Sequence, residues 1–358
     1  MCDKLCAGDR RTVVTTMHAV VVERPGLARL SELATPEPGP GEVLVRVAAA
    51  GICGSDLELL RGTRPARFVR YPVVPGHEWA GTVVGVGPGV AGLEPGDPVV
   101  AEGFRSCGAC DRCREGRTNL CLAGYAETGF THQGAFAEFI CVPTRLVHKL
   151  PAGADLEAAA LLEPAACVAG GLLEAQLRPG LRVAVVGAGT LGLLAVSILR
   201  LASPRRLALI GSRETRLALG RRLGCDETRD INAGDSLDSL EECFDLVFEA
   251  ATRPESAMTA LTLARRGGTV ILEGISGAGR PAIAADLITL KQLQVQGIFG
   301  ASSAAWRWAV DLFAAGTLPL AQLVSHRFPL ERFEAAFETL QDKESGAVKI
   351  ELTPAATG

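Results

Sequence analysis

Cys107, Cys110, Cys113 and Cys121 crowd into the run SCGACDRCREGRTNLC with the spacing C-x2-C-x2-C-x7-C. Thiolates this close in sequence can converge on one tetrahedral ion at small cost in loop entropy, and zinc is the ion that suits four of them. A chain with this segment must fold it as a closed metal-bearing lobe, here residues 102–124, and build the rest of the molecule around it. A shell closed by four thiolates leaves no coordination position for a substrate, so the lobe is expected to be structural.

Charge and cysteine usage narrow the remaining choices. A net charge of -4 argues against a nucleic-acid-binding zinc module, which needs a basic surface. Eleven cysteines, an odd number with four in a metal comb, do not read as a secreted disulfide framework. A reducing, cytoplasmic setting is expected instead. The start, MCDKLCAGDRRTVVTT, lacks an apolar core of signal-peptide length, and no run of about 20 apolar residues predicts a membrane span. Residues 1–16 read as a flexible extension, and Met17 opens the first strand-like segment.

The periodicity changes once along the chain. The first part holds short β-branched runs (Ala19–Val22, Glu42–Ala49, Ala80–Val86, Pro98–Ala101, Ala137–Val142) between Gly- and Pro-rich clusters. From Leu156 onward, helical stretches alternate with apolar strands at Arg182–Val186, Leu207–Ile210, Phe244–Glu249, Thr269–Leu272 and Val295–Ile298. That succession predicts a parallel sheet with right-handed crossovers. An amphipathic helix, Leu330–Gln341, and a strand, Ala347–Leu352, close the chain.

The strand RVAVV runs into Gly187-Ala188-Gly189-Thr190-Leu191-Gly192 and then into a helical stretch. This is G-x-G-x-x-G in the strand–turn–helix context that binds a dinucleotide. Gly187 permits the turn, Gly189 admits a pyrophosphate, and Gly192 lets the helix pack on the strand, with the helix N-terminus facing the anion. The next strand ends in Gly211-Ser212-Arg213, where an NAD-binding site would carry an acidic residue on the ribose. Glycine leaves room, serine donates and Arg213, with Arg216, supplies positive charge, so NADP(H) is expected rather than NAD(H).

Three further segments hold metal-ligand residues: Gly51-Ile52-Cys53-Gly54-Ser55-Asp56, Pro75-Gly76-His77-Glu78 and Leu162-Glu163-Pro164. One cysteine, one histidine and a carboxylate make a zinc site with an open, catalytic position. With the landmarks GICGSD, VVPGHEWAGTV, GDPVV, LLEPAACV, VVGAGTLG and HRFPLERFEAAFE, the chain from Met17 to Leu352 resembles the zinc-dependent medium-chain dehydrogenase/reductases of the alcohol dehydrogenase superfamily. It is most similar to the sorbitol and threonine dehydrogenase branch.

The resemblance implies an α/β protein with a GroES-like β-rich catalytic domain (17–166), a Rossmann doubly wound domain (167–305) and a C-terminal segment (306–358) returning to the first domain. It implies two zinc ions per chain: a structural one on the four-cysteine lobe, and a catalytic one on Cys53, His77 and Glu78, with Glu163 bound directly or through water. Asp56 is expected to fix the tautomer of His77, and Ser55 to carry the substrate proton. The implied reaction is reversible oxidation of a secondary alcohol to a ketone by a homodimer or homotetramer. Glu58 stands where threonine dehydrogenases carry histidine, and the Arg-Tyr pair of sorbitol dehydrogenases is missing, so the substrate expected is a polyol, aminocyclitol or cyclic alcohol. Glu58, Glu102, Phe104, Phe299 and Trp306 are the candidates for its pocket. Two alternatives stay open: an NAD-linked enzyme of the sorbitol/threonine type, and a non-catalytic zinc-ribbon and Rossmann binding protein.

Overall fold

The computed structural model describes residues 16–277 and 282–354; the extension expected over residues 1–16 lies outside them apart from Thr16. The β-branched runs of the first part form strands because their side chains pack well on a pleated, half-buried surface. β1 (Thr16–Arg24) and β2 (Leu27–Ala34) pair as an antiparallel hairpin. β3 (Glu42–Ile52), α1 (Gly54–Arg61), β4 (Glu78–Val86), β5 (Pro98–Ala101), α2 (Asp111–Arg114), β6 (Phe139–Pro143), β7 (Val147–Lys149) and α3 (Leu156–Ala159) follow.

The second part alternates as its periodicity predicts. α4 (Leu162–Glu174), β8 (Arg182–Val186), α5 (Thr190–Leu201), β9 (Arg206–Gly211), α6 (Glu214–Arg222), β10 (Glu227–Asp230), β11 (Phe244–Glu249), α7 (Ser256–Leu263), β12 (Ala264–Leu272), α8 (Ala285–Lys291) and β13 (Gln294–Gly297) build a six-stranded sheet. Its order is β10-β9-β8-β11-β12-β13 and every pairing is parallel. The strand order reverses beside β8, which opens the crevice where a doubly wound sheet takes its ligand. This is the Rossmann arrangement, beside a β-rich first unit.

The chain then returns. After α9 (Ser303–Ala314), β14 (Val324–Pro329), α10 (Phe333–Gln341) and β15 (Lys349–Thr353) complete the first unit's sheet, whose order is β14-β15-β3-β4-β5-β7 with β6 also on β3. Ile350, Leu352, Phe333 and Phe337 join Val43, Val45 and Ile52 in one apolar core. The second core joins Leu162, Ala166 and Val168 of α4 to Leu193 and Leu194 of α5, Ile271 of β12 and Trp306 of α9. The boundaries expected at 166/167 and 305/306 therefore fall inside α4 and α9. These two helices pack on each other across the junction, so apolar packing, not a linker, joins the units there. β2, β7, β10 and β14 had not been expected; their burial is only partial, which leaves weak alternation in the sequence.

Candidate active site

Three local backbone devices converge at one end of the β-rich sheet. Cys53 caps α1, where the Asp56 carboxylate accepts a 2.8 Å hydrogen bond from the Cys53 amide. Gly76, at φ 94°, turns the chain so that His77 leads into β4, which Glu78 opens. Gly51 lies opposite Glu78 in the β3–β4 ladder, and a Cβ there would stand 2.4 Å from Glu78 Oε2. The donor atoms of Cys53, His77 and Glu78 consequently lie within 4.8 Å of one another.

The donor chemistry fits a zinc ion: one thiol, one imidazole and one carboxylate, with room for a fourth ligand. Asp56 is fully buried, and its Oδ1 lies 3.5 Å from His77 Nδ1, neither atom having a hydrogen-bond partner among the described residues. This places the carboxylate behind the ring, with Nε2 on the other side, and Phe130 packs against the imidazole at 4.9 Å between centroids. Glu163, in the first turn of α4, stands outside the three-residue cluster and accepts from Cys167 Sγ at 3.5 Å. Burial pushes its carboxyl up to about 7, opposed by His77 and reinforced by Glu78. Ser55 is half-buried between Cys53 and Asp56.

Several groups around this cluster had no motif to mark them. Lys349 of β15 reaches Glu78 Oε2 at 2.5 Å and the Ile52 carbonyl at 3.1 Å, with both charged side chains buried. Arg64 lies 3.8 Å over the Phe130 ring, donates to the Tyr125 hydroxyl at 2.6 Å and approaches Glu127 at 3.4 Å. Burial raises Glu127 to about 7, with His77 and Arg64 opposing. Glu273, just past β12, is also buried. Lysine, arginine and glutamate are ordinary surface residues in any one sequence, so only the fold distinguishes these four.

The dinucleotide turn borders a cleft of about 820 Å³ lined by Gly187, Gly189, Gly211, Ser212, Arg213 and Arg216, together with Arg253 and Lys343, which had not been expected. Gly189 caps α5 without a side-chain bond, leaving the helix-start amides to the cleft. A Cβ on Gly192 would lie 1.7 Å from the Gly187 carbonyl oxygen, and one on Gly211 would lie 2.7 Å from Ala188 Cβ. Gly211 is thus required by packing as well as by space for a ligand. Thr190 and Leu191 depart from the expectation, because the Thr190 hydroxyl donates to the Val348 carbonyl at 2.9 Å and Leu191 packs on the core. Only their backbone amides remain for a ligand. Arg216 donates to the Ala347 carbonyl, and burial beside Arg213 lowers it to about 10.

The pocket candidates divide. Phe104 and Phe299, 5.6 Å apart, join Phe68 and Tyr125 in an aromatic cluster, and Phe104, Tyr125 and Phe299 line a cavity of about 390 Å³. Glu58 is half-buried on α1. Glu102 and Trp306 are corrections. The Glu102 carboxylate accepts from Ser303 Oγ at 2.8 Å and faces His148 Nε2 at 3.3 Å, so this buried group is engaged between the two units. Trp306 is 2% exposed and stacks on His148, because α9 turns that face onto α4.

The four-cysteine lobe has its sulfurs at 3.5 Å (Cys110–Cys113) and 3.9 Å (Cys107–Cys113, Cys110–Cys121). A tetrahedral zinc–thiolate shell has edges of about 3.8 Å, so the set fits. Amides of Leu122 and others hold the Cys110 thiol down to about 6, whereas burial pushes Cys113 up to about 11. The lobe docks on the Rossmann unit: Asn119 donates to the Phe299 carbonyl at 2.7 Å, and the Ser303 amide to Thr118 Oγ1 at 3.1 Å.

The chain matches the alcohol dehydrogenase GroES-like domain family over residues 39–152 and the glucose dehydrogenase C-terminus family over residues 159–350. It is 34% identical to the L-threonine 3-dehydrogenase of Saccharopolyspora erythraea, over 92% of this chain and 96% of that one. A protein of Sinorhizobium meliloti described as a zinc-binding dehydrogenase, crystallised with NADP, is 33% identical and superposes with a TM-score of 0.88 over 95% of this chain and 99% of its own. An Escherichia coli alcohol dehydrogenase in complex with NADH is 28% identical, with a TM-score of 0.88 over the same shares.

Proposed function

The chain belongs to the zinc-type medium-chain dehydrogenase/reductases of the alcohol dehydrogenase superfamily, and from that premise we propose that it is an NADP(H)-linked oxidoreductase converting a secondary alcohol to a ketone. The observation that carries the cofactor choice is the charge at the ribose end of the cleft. Arg213, Arg216, Arg253 and Lys343 line the cleft against a single carboxylate, Glu255, and no acidic residue stands where β9 ends. The substrate class rests on Glu58, the aromatic cluster of Phe104 and Phe299, and Glu127, which together suit hydroxyl or amino groups on an apolar ring.

When bound, zinc supplies Lewis acidity that lowers the pKa of a substrate hydroxyl, and the dinucleotide accepts the hydride. Cys53, His77 and Glu78 would hold that ion, with Glu163 available as a further or exchanging ligand. Asp56 keeps His77 in one orientation and tautomer. Lys349 compensates Glu78, so a buried carboxylate persists within the cluster. Ser55 takes the hydroxyl proton and passes it outward. Cys107, Cys110, Cys113 and Cys121 would hold the second ion.

The NAD-linked threonine-type alternative has support in the name of the relative and in the NADH-bound neighbour. Initial rates with both cofactors separate the two. We expect kcat/KM to favour NADP by about 10-fold or more, since one charge-assisted hydrogen bond is worth that much, and Arg213→Ala to erase the preference. Equal or better use of NAD overturns the NADP assignment. Metal analysis should return two zinc ions per chain.

Assembly through the free edge of β13 is part of the same reading. Leu290, on the helix leading into that strand, is 79% exposed. No helix among the described residues is long and apolar enough to cross a membrane, and the free thiols suit the cytoplasm.

A further inference from the structure

Glu273 lies immediately past the C-terminal end of β12 and is 8% exposed, yet neither of its carboxylate oxygens has a hydrogen-bond partner among the described residues. A buried carboxyl with both oxygens unmatched is expensive, and at the edge of a ligand site a bound molecule can supply the partner. Burial, with Glu163 and Glu249 adding to it, pushes the group up to about 8. The other buried glutamates nearby are differently placed. Glu249 accepts from the amides of Ala251 and Gly274, Glu163 from Cys167, and Glu78 from Lys349.

The position of Glu273 says what the partner is. Two residues earlier, Ile271 faces α4, where a Cβ on Gly171 would lie 3.0 Å from its Cγ2. Glu273 continues that face toward Cys167 and Glu163, with which it interacts electrostatically. Glu163 in turn interacts with His77 and Glu78 of the candidate metal cluster. Glu273 therefore stands between the C-terminal ends of the parallel strands, where the dinucleotide lies, and the site of the alcohol. Hydride transfer requires the nicotinamide ring to occupy that interval, since reacting atoms must approach to about 3–3.5 Å. The ring carries a carboxamide with two N–H donors, and it is cationic in the oxidised cofactor.

We propose that Glu273 is a cofactor-binding residue whose carboxylate accepts a hydrogen bond from the nicotinamide carboxamide and favours the oxidised, cationic ring over the reduced one. The assignment rests on the dehydrogenase reading above but not on the choice between NADP and NAD. It concerns the nicotinamide half, whereas Arg213 and its neighbours concern the ribose.

Calorimetric titration of the zinc-loaded protein at about pH 9, above the value to which burial raises Glu273 so that the group is ionised, tests it with three probes: NADP+, NADPH and adenosine 2′,5′-bisphosphate, which lacks the nicotinamide. Glu273→Leu should weaken NADP+ by about 10-fold and NADPH by clearly less, and leave the bisphosphate unchanged. Glu273→Gln keeps an acceptor and loses the charge, so it should restore NADPH binding while the NADP+ preference stays lost. Removing an unmatched carboxyl should leave the variants at least as stable as the parent, which a melting curve checks. If the NADP+ to NADPH affinity ratio is unchanged in both variants, the proposal is wrong. A changed KM for the alcohol at unchanged cofactor affinities overturns it equally, since Glu273 would then serve the substrate. If the parent fails to bind the bisphosphate, the NADP reading falls, and the same ratio is then measured with NAD+ and NADH.

Discussion

Two glutamates show how little a residue's identity says about its state. Glu78 on β4 and Glu351 on β15 are both buried in one sheet, each opposite Gly51 of the intervening β3. Lys349 meets Glu78 directly, but among the described residues neither oxygen of Glu351 has a hydrogen-bond partner, and Arg327, 3.6 Å away, is shared with Glu157. Burial pushes Glu351 up to about 8, above its value in an unfolded chain. The native state then keeps a proton that the unfolded chain has already lost. No penalty arises below the unfolded pKa, and stability falls as pH rises from there to about 8. Glu351→Gln should therefore stabilise the protein by about 1–3 kcal/mol at pH 8.5 and by almost nothing at pH 4. Urea unfolding at both pH values reads this, and a gap independent of pH would contradict it.

At the scale of the element, the turn between β8 and α5 separates packing from binding. Gly187 adopts φ 111°, and the carbonyl of the same residue leaves no space for a Cβ on Gly192. Gly189 has nothing within 4 Å of a Cβ position and borders the cleft. Gly192→Ala should then cost about 1–3 kcal/mol in urea unfolding, as overpacking does, and cofactor binding with it. Gly189→Ala should change stability by no more than about 0.5 kcal/mol while crowding the pyrophosphate and weakening the cofactor. If Gly189→Ala proved the more destabilising, the two roles would have to be exchanged. The same turn binds the return segment, since Thr190 holds the Val348 carbonyl next to Lys349.

Across the whole molecule, the cysteine lobe acts as a clasp. Thr118 and Asn119 reach Ser303 and Phe299, so the lobe braces the wall that carries the aromatic cluster, and Glu102 ties Ser303 from behind. A metal there would hold this clasp without touching a substrate. Cys110→Ser should lose about one zinc per chain and lower the melting temperature by roughly 5 °C or more. In a single-turnover measurement, the hydride-transfer rate of the folded fraction should stay within about threefold, because remote positioning costs less than the loss of a reacting group. A collapse of that rate with the melting temperature intact would assign the lobe a part in the chemistry.

The local motifs were legible because each needs only its own backbone. The comb closes within one loop, the glycine turn follows one strand, and Cys53, His77 and Glu78 sit where glycines let short turns bring them inward. The parallel order of the second sheet followed from the strand–helix alternation for the same reason. What the tertiary structure decided lies between distant segments. Lys349 meets Glu78 across 271 positions only because β15 joins β3 in the sheet. Glu102 and Trp306 looked like pocket residues until α9 docked on α4 and consumed one and buried the other. Glu127, Arg64 and Glu273 acquired meaning only by being buried beside the site. Short-range geometry is written in adjacent residues; burial and charge compensation depend on which surfaces meet, which single residues do not encode.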